Sequence, residues 1–392
     1  MTKQFFSKLA LVISLSALSI VSCTKKDEAS QSAGANANQV VIGHYASLTG
    51  ETATFGQSSK NGVDLAQEQF NAAGGLNGKQ IKVITYDTQS KPEEASSVVT
   101  KLITQDNVLA LIGEVASRLS LVAGDKAMQF KTPMITHAST NPDVTKKGEY
   151  VFRICFMDSL QGEAIAKFAA ENLKAKTAAI MRDVKQDYSI GLADSITKGF
   201  KARGGQIVTD TSFQSGESDF RAQLTEIKGK NPDVIFVPGY YGEVALITQQ
   251  ARKMGIKQPM IGGDGWDSAD LLKVAGKAAL ENTFYSNHFA ADTKDANAQA
   301  FLAAYQKKYG SKPDAMAALG FDAFNLLMNA MKNAKELTRD GVKDAIAQTK
   351  DFQAVTGSIT LDKDRNAVKP AMMLKFSADG EGGYKHFADL AL

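Results

Sequence analysis

The sequence predicts an α/β protein built as two lobes in series, each a parallel sheet clothed by helices. Three observations predict it. Short β-branched runs alternate with segments of helical period from Val40 onward, the alternation begins a second time at Thr177, and the strands of both cycles break into small polar or glycine-rich residues. The 392 residues, 44% hydrophobic and 22% charged, have ordinary globular composition and length for about two domains. The net charge of +3 is small, and the lysines are scattered among acidic residues. That excludes the basic stripe a nucleic acid or an anionic surface requires.

The first residues form a processing signal. Lys3 and Lys8 precede the apolar run LALVISLSALSIV, too short to span a bilayer comfortably, and Ser22 and Cys23 follow it. A small residue directly before a cysteine resembles the lipobox of bacterial lipoproteins, which implies a signal peptide over 1–22 and a lipidated Cys23. An ordinary secretory peptide with an incidental cysteine is the other reading. Residues 23–39 are small and polar without an apolar period, as a flexible tether is. With Cys23 lipidated, Cys155 is the remaining thiol and no intramolecular disulfide is expected. Its setting, YVFRICF, suits a buried cysteine better than a catalytic one.

In the first lobe the strands are VVIGHY, IKVITYD, VLALIG and PMITH. Between the first two, Val63, Ala66, Phe70 and Ala73 recur at helical spacing, and AAGGLNGK ends that helix on glycines. The next helix starts at SKPEEASSVV, with Pro92 and two glutamates in its first turn. The second lobe repeats the plan with TAAIMRD, GQIVTDTSF, PDVIFVPGY and QPMIGGD. After ENTFYSNHFA come two helices, around AQAFLAAYQKKYG and PDAMAALGFDAFNLLMNAMKNA, then a strand pair, VTGSITLD and AMMLKF. Late helices and strands of this kind are expected to return to the earlier lobes.

The chemistry is defined first by what is missing. The sequence contains no GxxxxGK[ST], no GxGxxG after a strand, no GxSxG and no HExxH. Its four histidines (His44, His137, His288 and His386) are widely spaced, with no cysteine pair to complete a metal site. No cofactor, no metal and no enzymatic nucleophile is therefore expected. What recurs is the polar strand end: IGEVASR, ITHASTNP, VPGYYGE and IGGDGWD. Ligands of open parallel sheets bind at such ends, although each one alone also suits a helix cap.

In these blocks, and in LTGETATFGQSSKNGVDLA, GGLNGKQIKVITYD, FRICFMDSLQGEAIAKF, KQDYSIGLA, GYYGEVALITQQARKMGI and LGFDAFNLL, the sequence resembles the branched-chain amino-acid binding family of periplasmic solute-binding proteins. The resemblance covers essentially the whole chain after the tether. It implies the type I fold, two Rossmann-like lobes joined by a three-strand hinge with crossovers near Phe156, Ser286 and Ala354. The first lobe would comprise 40–156 and 287–353, the second 157–286 and 354–392.

Carried over, the family's α-carboxylate site falls on Ser117, on Ala138 and Ser139 of the same loop, and on Thr140. Its ammonium site falls on Tyr240 and Asp264. Phe55, Ala116, Arg118, His137, Tyr188 and Trp266 are the implied cleft lining. Hydroxyls and free backbone N–H groups can hold a carboxylate without adding charge, and an acidic side chain beside an aromatic face suits an ammonium. Other readings stand beside these: Thr140 as a cap, Asp264 as a brace for its glycine turn, Trp266 as core, and Arg118 as paired or solvent-facing. His137 divides between strand-end filler and cleft contact. Asp264 stands where the family commonly has glutamate, and His137 where proline is common.

The resemblance implies a substrate-binding protein of an ABC transporter. It would capture an amino acid or related small zwitterion by lobe closure and deliver it to membrane permease subunits. The protein would be a monomer, lipid-anchored on the periplasmic or outer face of a bacterial membrane. A ligand-sensing receptor module for amides or small aromatic acids is the alternative.

Overall fold

The computed structural model describes residues 38–378 and 383–390. The expected signal peptide, Cys23 and nearly all of the tether lie outside the described residues. The first sheet holds β1 (Gln39–Ala46), β2 (Gln80–Asp87), β3 (Leu111–Ile112), β4 (Met134–Thr136) and β5 (Val151–Arg153), all parallel, in the order β2-β1-β3-β4-β5. β4 and β5 are buried at every residue, so neither shows an alternation of buried and exposed positions.

The second cycle yields β6 (Thr177–Asp183), β7 (Gln206–Phe213), β8 (Val234–Phe236), β9 (Met260–Gly262) and β10 (Thr283–Asn287) in the matching order β7-β6-β8-β9-β10. Each sheet therefore reverses its winding once, beside β1 and beside β6. The carboxyl ends next to such a reversal form the crevice of a doubly wound sheet.

The tail departs from the expected strand pair. VTGSITLD and AMMLKF do not pair with each other. The first belongs to a small antiparallel sheet of β11 (Phe352–Ala354), β12 (Gly357–Leu361) and β13 (Ala367–Val368). The second is β14 (Ala371–Phe376), which adds antiparallel to β10 and carries β15 (Tyr384–Leu390) beyond it.

The crossover expected near Ala354 consequently falls later. The Asp322 carboxylate accepts the N–H groups of Val355 and Thr356 at 2.8 and 3.0 Å, and the Arg365 guanidinium donates to the carbonyls of Thr145 and Val151. Residues 355–368 are thus fastened to the β5 side of the molecule, and the chain passes to the second sheet only around Lys369 and Pro370. The chain also passes between the two sheets after β5 and after β10.

The late helices Ala296–Tyr309 and Ala315–Asn333 do return to the first sheet. Helix Ala315–Asn333 lies so close to helix Ala53–Ala72 that a Cβ on Gly62 would stand 2.0 Å from the Ala317 carbonyl oxygen. Only glycine permits that approach.

Candidate functional site

The crevice-facing ends of β3 and β4 form one wall. Ser117 opens helix Ser117–Gln129, and its Oγ accepts the Asn141 N–H at 3.2 Å. The HASTNP loop is pinned from behind by Arg153, whose fully buried guanidinium donates to the carbonyls of Ser139 and Asn141, both at 2.8 Å. Ser139 is committed to the same framework. Its N–H donates to Thr136 Oγ1, and its hydroxyl lies 2.9 and 3.0 Å from the carbonyls of Glu114 and Val115 and 2.7 Å from Ser120 Oγ. Ser139 is therefore a lock for the loop and not a free donor, a correction to its expected role.

Thr140 is different. Its Oγ1 is buried without a hydrogen-bond partner, and among the described residues no acceptor pairs with the N–H groups of Ala138 and Thr140. A buried polar group left unpaired costs about 1–3 kcal/mol, so a wall with several such donors is built for an acceptor that is not part of the chain.

The opposite wall comes from the ends of β8 and β9 and from the helices that start at Asp158 and Asp187. Tyr240 immediately precedes helix Tyr241–Lys253, and its ring lies parallel to that of Tyr188, 5.1 Å between centroids and 6° apart. Phe55 reaches across to meet Tyr240 and Tyr241 edge-on at 5.7 and 4.9 Å. The Tyr188 hydroxyl accepts the Gly265 N–H at 3.1 Å, which fixes the turn carrying Asp264. One Asp264 oxygen accepts from Gln161 Nε2 at 2.8 Å, and the other faces His288 Nε2 at 3.2 Å.

Asp158 completes this wall. It is fully buried, and among the described residues neither carboxylate oxygen has a hydrogen-bond partner. Burial pushes its pKa well above the ordinary carboxylate range, Asp264 adds to the push, and the nearby Thr140 hydroxyl and Arg153 oppose it. Burial, with the Asp264 charge second, also raises the phenols of Tyr188 and Tyr240, so both stay neutral. The site thus joins uncharged donors on one side to two acidic side chains and an aromatic pair on the other.

The walls are closed on each other. Thr54 Oγ1 meets Ser268 Oγ at 3.0 Å, the Tyr241 hydroxyl donates to the Glu51 carbonyl at 3.1 Å, and Asn141 Nδ2 donates to the Asp187 carbonyl at 2.8 Å. Thr140, Tyr188, Tyr240 and Asp264 are all buried as a result.

Not every expected lining residue faces this interior. Ala116 does belong to the first wall, with its N–H given to the buried Glu114 carboxylate at 2.9 Å. Trp266 is core: fully buried, it donates its indole N–H to the Val237 carbonyl at 3.0 Å and packs over Gly262. Arg118 is paired at the rim, with the Ser90 carbonyl at 3.0 Å and the Glu51 carboxylate at 3.6 Å. The ring of His137 is fully buried 6.3 Å from that of His44 on β1, which itself bonds Thr85 on β2, and among the described residues neither His137 ring nitrogen has a hydrogen-bond partner. Burial lowers its pKa to about 3, so the ring is neutral.

Asp158, Gln161 and His288 were not singled out in the sequence. An aspartate in a helix's first turn is an ordinary dipole partner, and only the fold brings it to the Asp264 carboxylate.

Comparison with known proteins agrees with this architecture. Residues 39–381 match the model of a family described as periplasmic binding protein. A Leu/Ile/Val-binding protein homolog of Brucella abortus is 31% identical over 356 residues, 90% of this chain and 95% of that one. Among solved structures, a leucine binding protein from Thermotoga maritima superposes with a TM-score of 0.85 at 35% identity, covering 89% of this chain and 98% of its own. A branched-chain amino acid transporter substrate binding protein from Streptococcus pneumoniae, in complex with isoleucine, gives 0.84 at 38% identity, covering 90% and 100%. The protein belongs to the periplasmic binding protein family, whose members bind solutes outside the cytoplasm and are not a family of enzymes. Within that family it groups with the branched-chain amino-acid binding proteins of ABC transporters.

Proposed function

We propose that this protein captures a branched-chain α-amino acid, of the leucine, isoleucine and valine class, and presents it to an ABC permease. One observation carries the reading: unpaired donors at Ala138 and Thr140 face the acidic side chains of Asp158 and Asp264 within one closed interior. A zwitterionic head group satisfies both sets at once, its carboxylate at the first wall with Ser117 and Thr140, its ammonium at the second. Phe55, Ala116 and Tyr240 supply the apolar surface for an aliphatic side chain. The names of the similar proteins support the same ligand class.

The magnitudes agree. Charge-assisted hydrogen bonds contribute roughly 1.5–3 kcal/mol each, against an association cost of about 4–15 kcal/mol. A handful of them leaves micromolar binding, about −8 kcal/mol. Binding first to the wall of Ser117 and Thr140, followed by closure of Tyr188, Tyr240 and Asp264 through bending at the three crossovers, makes the closed shape the signal that the permease reads. The protein works as a monomer held to the membrane by lipid on Cys23, and no chemical turnover is involved. Calorimetric titration of the full chain with L-leucine and L-isoleucine tests this; saturable one-to-one binding is expected, and absence of any response to branched-chain amino acids overturns it.

A further inference from the structure

Asp264 serves an ammonium only while its carboxylate is both oriented and still negatively charged. Orientation comes from Gln161 on one side and from His288 on the other, 3.2 Å from the second oxygen. His288 is the first residue after β10, on one of the three passages between the sheets, and lies flat against Phe156 from another, 3.6 Å between ring centroids at 23°. Lys369, from the third passage, is buried nearby with its ammonium donated to Thr356 and facing Asp322.

The groups acting on the imidazole are thus Asp264, which favours a proton, and Lys369, which opposes it. Burial outweighs both and holds the ring below its ordinary pKa. A ring so buried is a neutral donor, and among the described residues its Nδ1 has no acceptor for a second N–H.

We infer that His288 is a positioning residue of the ammonium subsite, a neutral Nε2–H donor that aims the Asp264 carboxylate at the ligand's ammonium without cancelling its charge. The inference rests on the amino-acid reading above. It assigns to a hinge residue the preference for ligands that carry an α-ammonium over otherwise identical carboxylates.

The test compares the full-length wild type with His288→Leu, which removes the donor at similar volume, and His288→Gln, which restores one. Affinities for L-leucine and for its desamino analogue 4-methylpentanoate are measured by calorimetry and by ligand-induced thermal shift. His288→Leu is expected to weaken L-leucine at least tenfold, to leave the response to 4-methylpentanoate unchanged, and to have no further effect in an Asp264→Asn background. His288→Gln is expected to recover most of the loss. An unchanged L-leucine affinity in His288→Leu, an equal loss for both ligands, or no recovery in His288→Gln overturns the positioning role while leaving the amino-acid reading intact. A wild type that binds no amino acid overturns both.

Discussion

The two walls of the crevice solve opposite problems. The first is largely satisfied by the chain itself: Arg153, Ser139, Thr136 and Ser120 tie the HASTNP loop with buried hydrogen bonds, and only a few donors around Ala138 and Thr140 are left over. The second is left in debt, with Asp158 unpartnered among the described residues and its pKa raised by burial first and by the Asp264 charge second. A pre-formed wall can accept a carboxylate with little rearrangement. The acidic wall gains most from an incoming cation, so the ligand's ammonium supplies the drive for closure.

Breaking the acidic wall therefore has the largest effect on binding. Asp264→Ala is expected to weaken a branched-chain amino acid by roughly 100-fold, about 3 kcal/mol, while circular dichroism shows the fold intact; near-normal affinity removes Asp264 from the ammonium site. Asp158→Asn replaces a buried carboxyl that has no hydrogen-bond partner among the described residues with a neutral amide of the same shape. Its affinity should fall about tenfold, equivalent to 1.4 kcal/mol, while the ligand-free melting temperature rises by about 2 °C. A fall in both would show Asp158 to be a framework residue.

The pre-formed wall responds differently at its two kinds of hydroxyl. Thr140→Val should weaken binding several-fold at little cost in stability, because among the described residues the hydroxyl it deletes has no hydrogen-bond partner. Ser139→Ala should lower stability by about 1–2 kcal/mol, read by denaturant unfolding, and change affinity less than Thr140→Val does. The reverse pattern would exchange their roles.

The smallest effect concerns pH. His137 is held neutral with a pKa near 3, whereas the unfolded chain's histidine protonates near 6.5. The unfolded state thus binds more protons between those values, and the stability His137 contributes is complete above about pH 6.5 and lost as pH falls toward 3, by about 1.4 kcal/mol per unit. The buried carboxyls of Glu114 and Asp158, raised by burial, titrate in the opposite sense. The informative quantity is consequently a difference: His137→Leu should flatten the fall in stability between pH 7 and pH 5, and an unchanged slope would contradict the buried neutral ring.

Much of this was legible in the chain. The first four strands of each doubly wound cycle follow from apolar runs and their spacing, whereas β5 and β10 were not set apart as strands, and a crevice placement of Ser117, Thr140, Tyr188, Tyr240, Asp264 and Phe55 was expected from strand ends together with family resemblance. The remainder depended on contacts remote in sequence. β15 was missed because YKHFADL is mostly solvent-facing and lacks a β-branched run. The third crossover was misplaced because Asp322, more than thirty residues upstream, holds Val355 and Thr356. Trp266 beside Asp264 suggested a cleft aromatic, yet the turn rotates it onto Gly262 and into the core. Ser139 and Thr140 are adjacent hydroxyls that no sequence pattern separates; only the pairing of one and the isolation of the other does.

The central claim is that opposite charges of one small ligand satisfy the two walls together. Titration calorimetry at pH 7, comparing L-isoleucine with its desamino analogue 3-methylpentanoate and its decarboxylated analogue 2-methylbutylamine, tests it most directly. One-to-one binding of L-isoleucine at micromolar concentration or below, with at least 100-fold weaker binding of each analogue, is the expected result. Equal affinity for the amino acid and either analogue would contradict it.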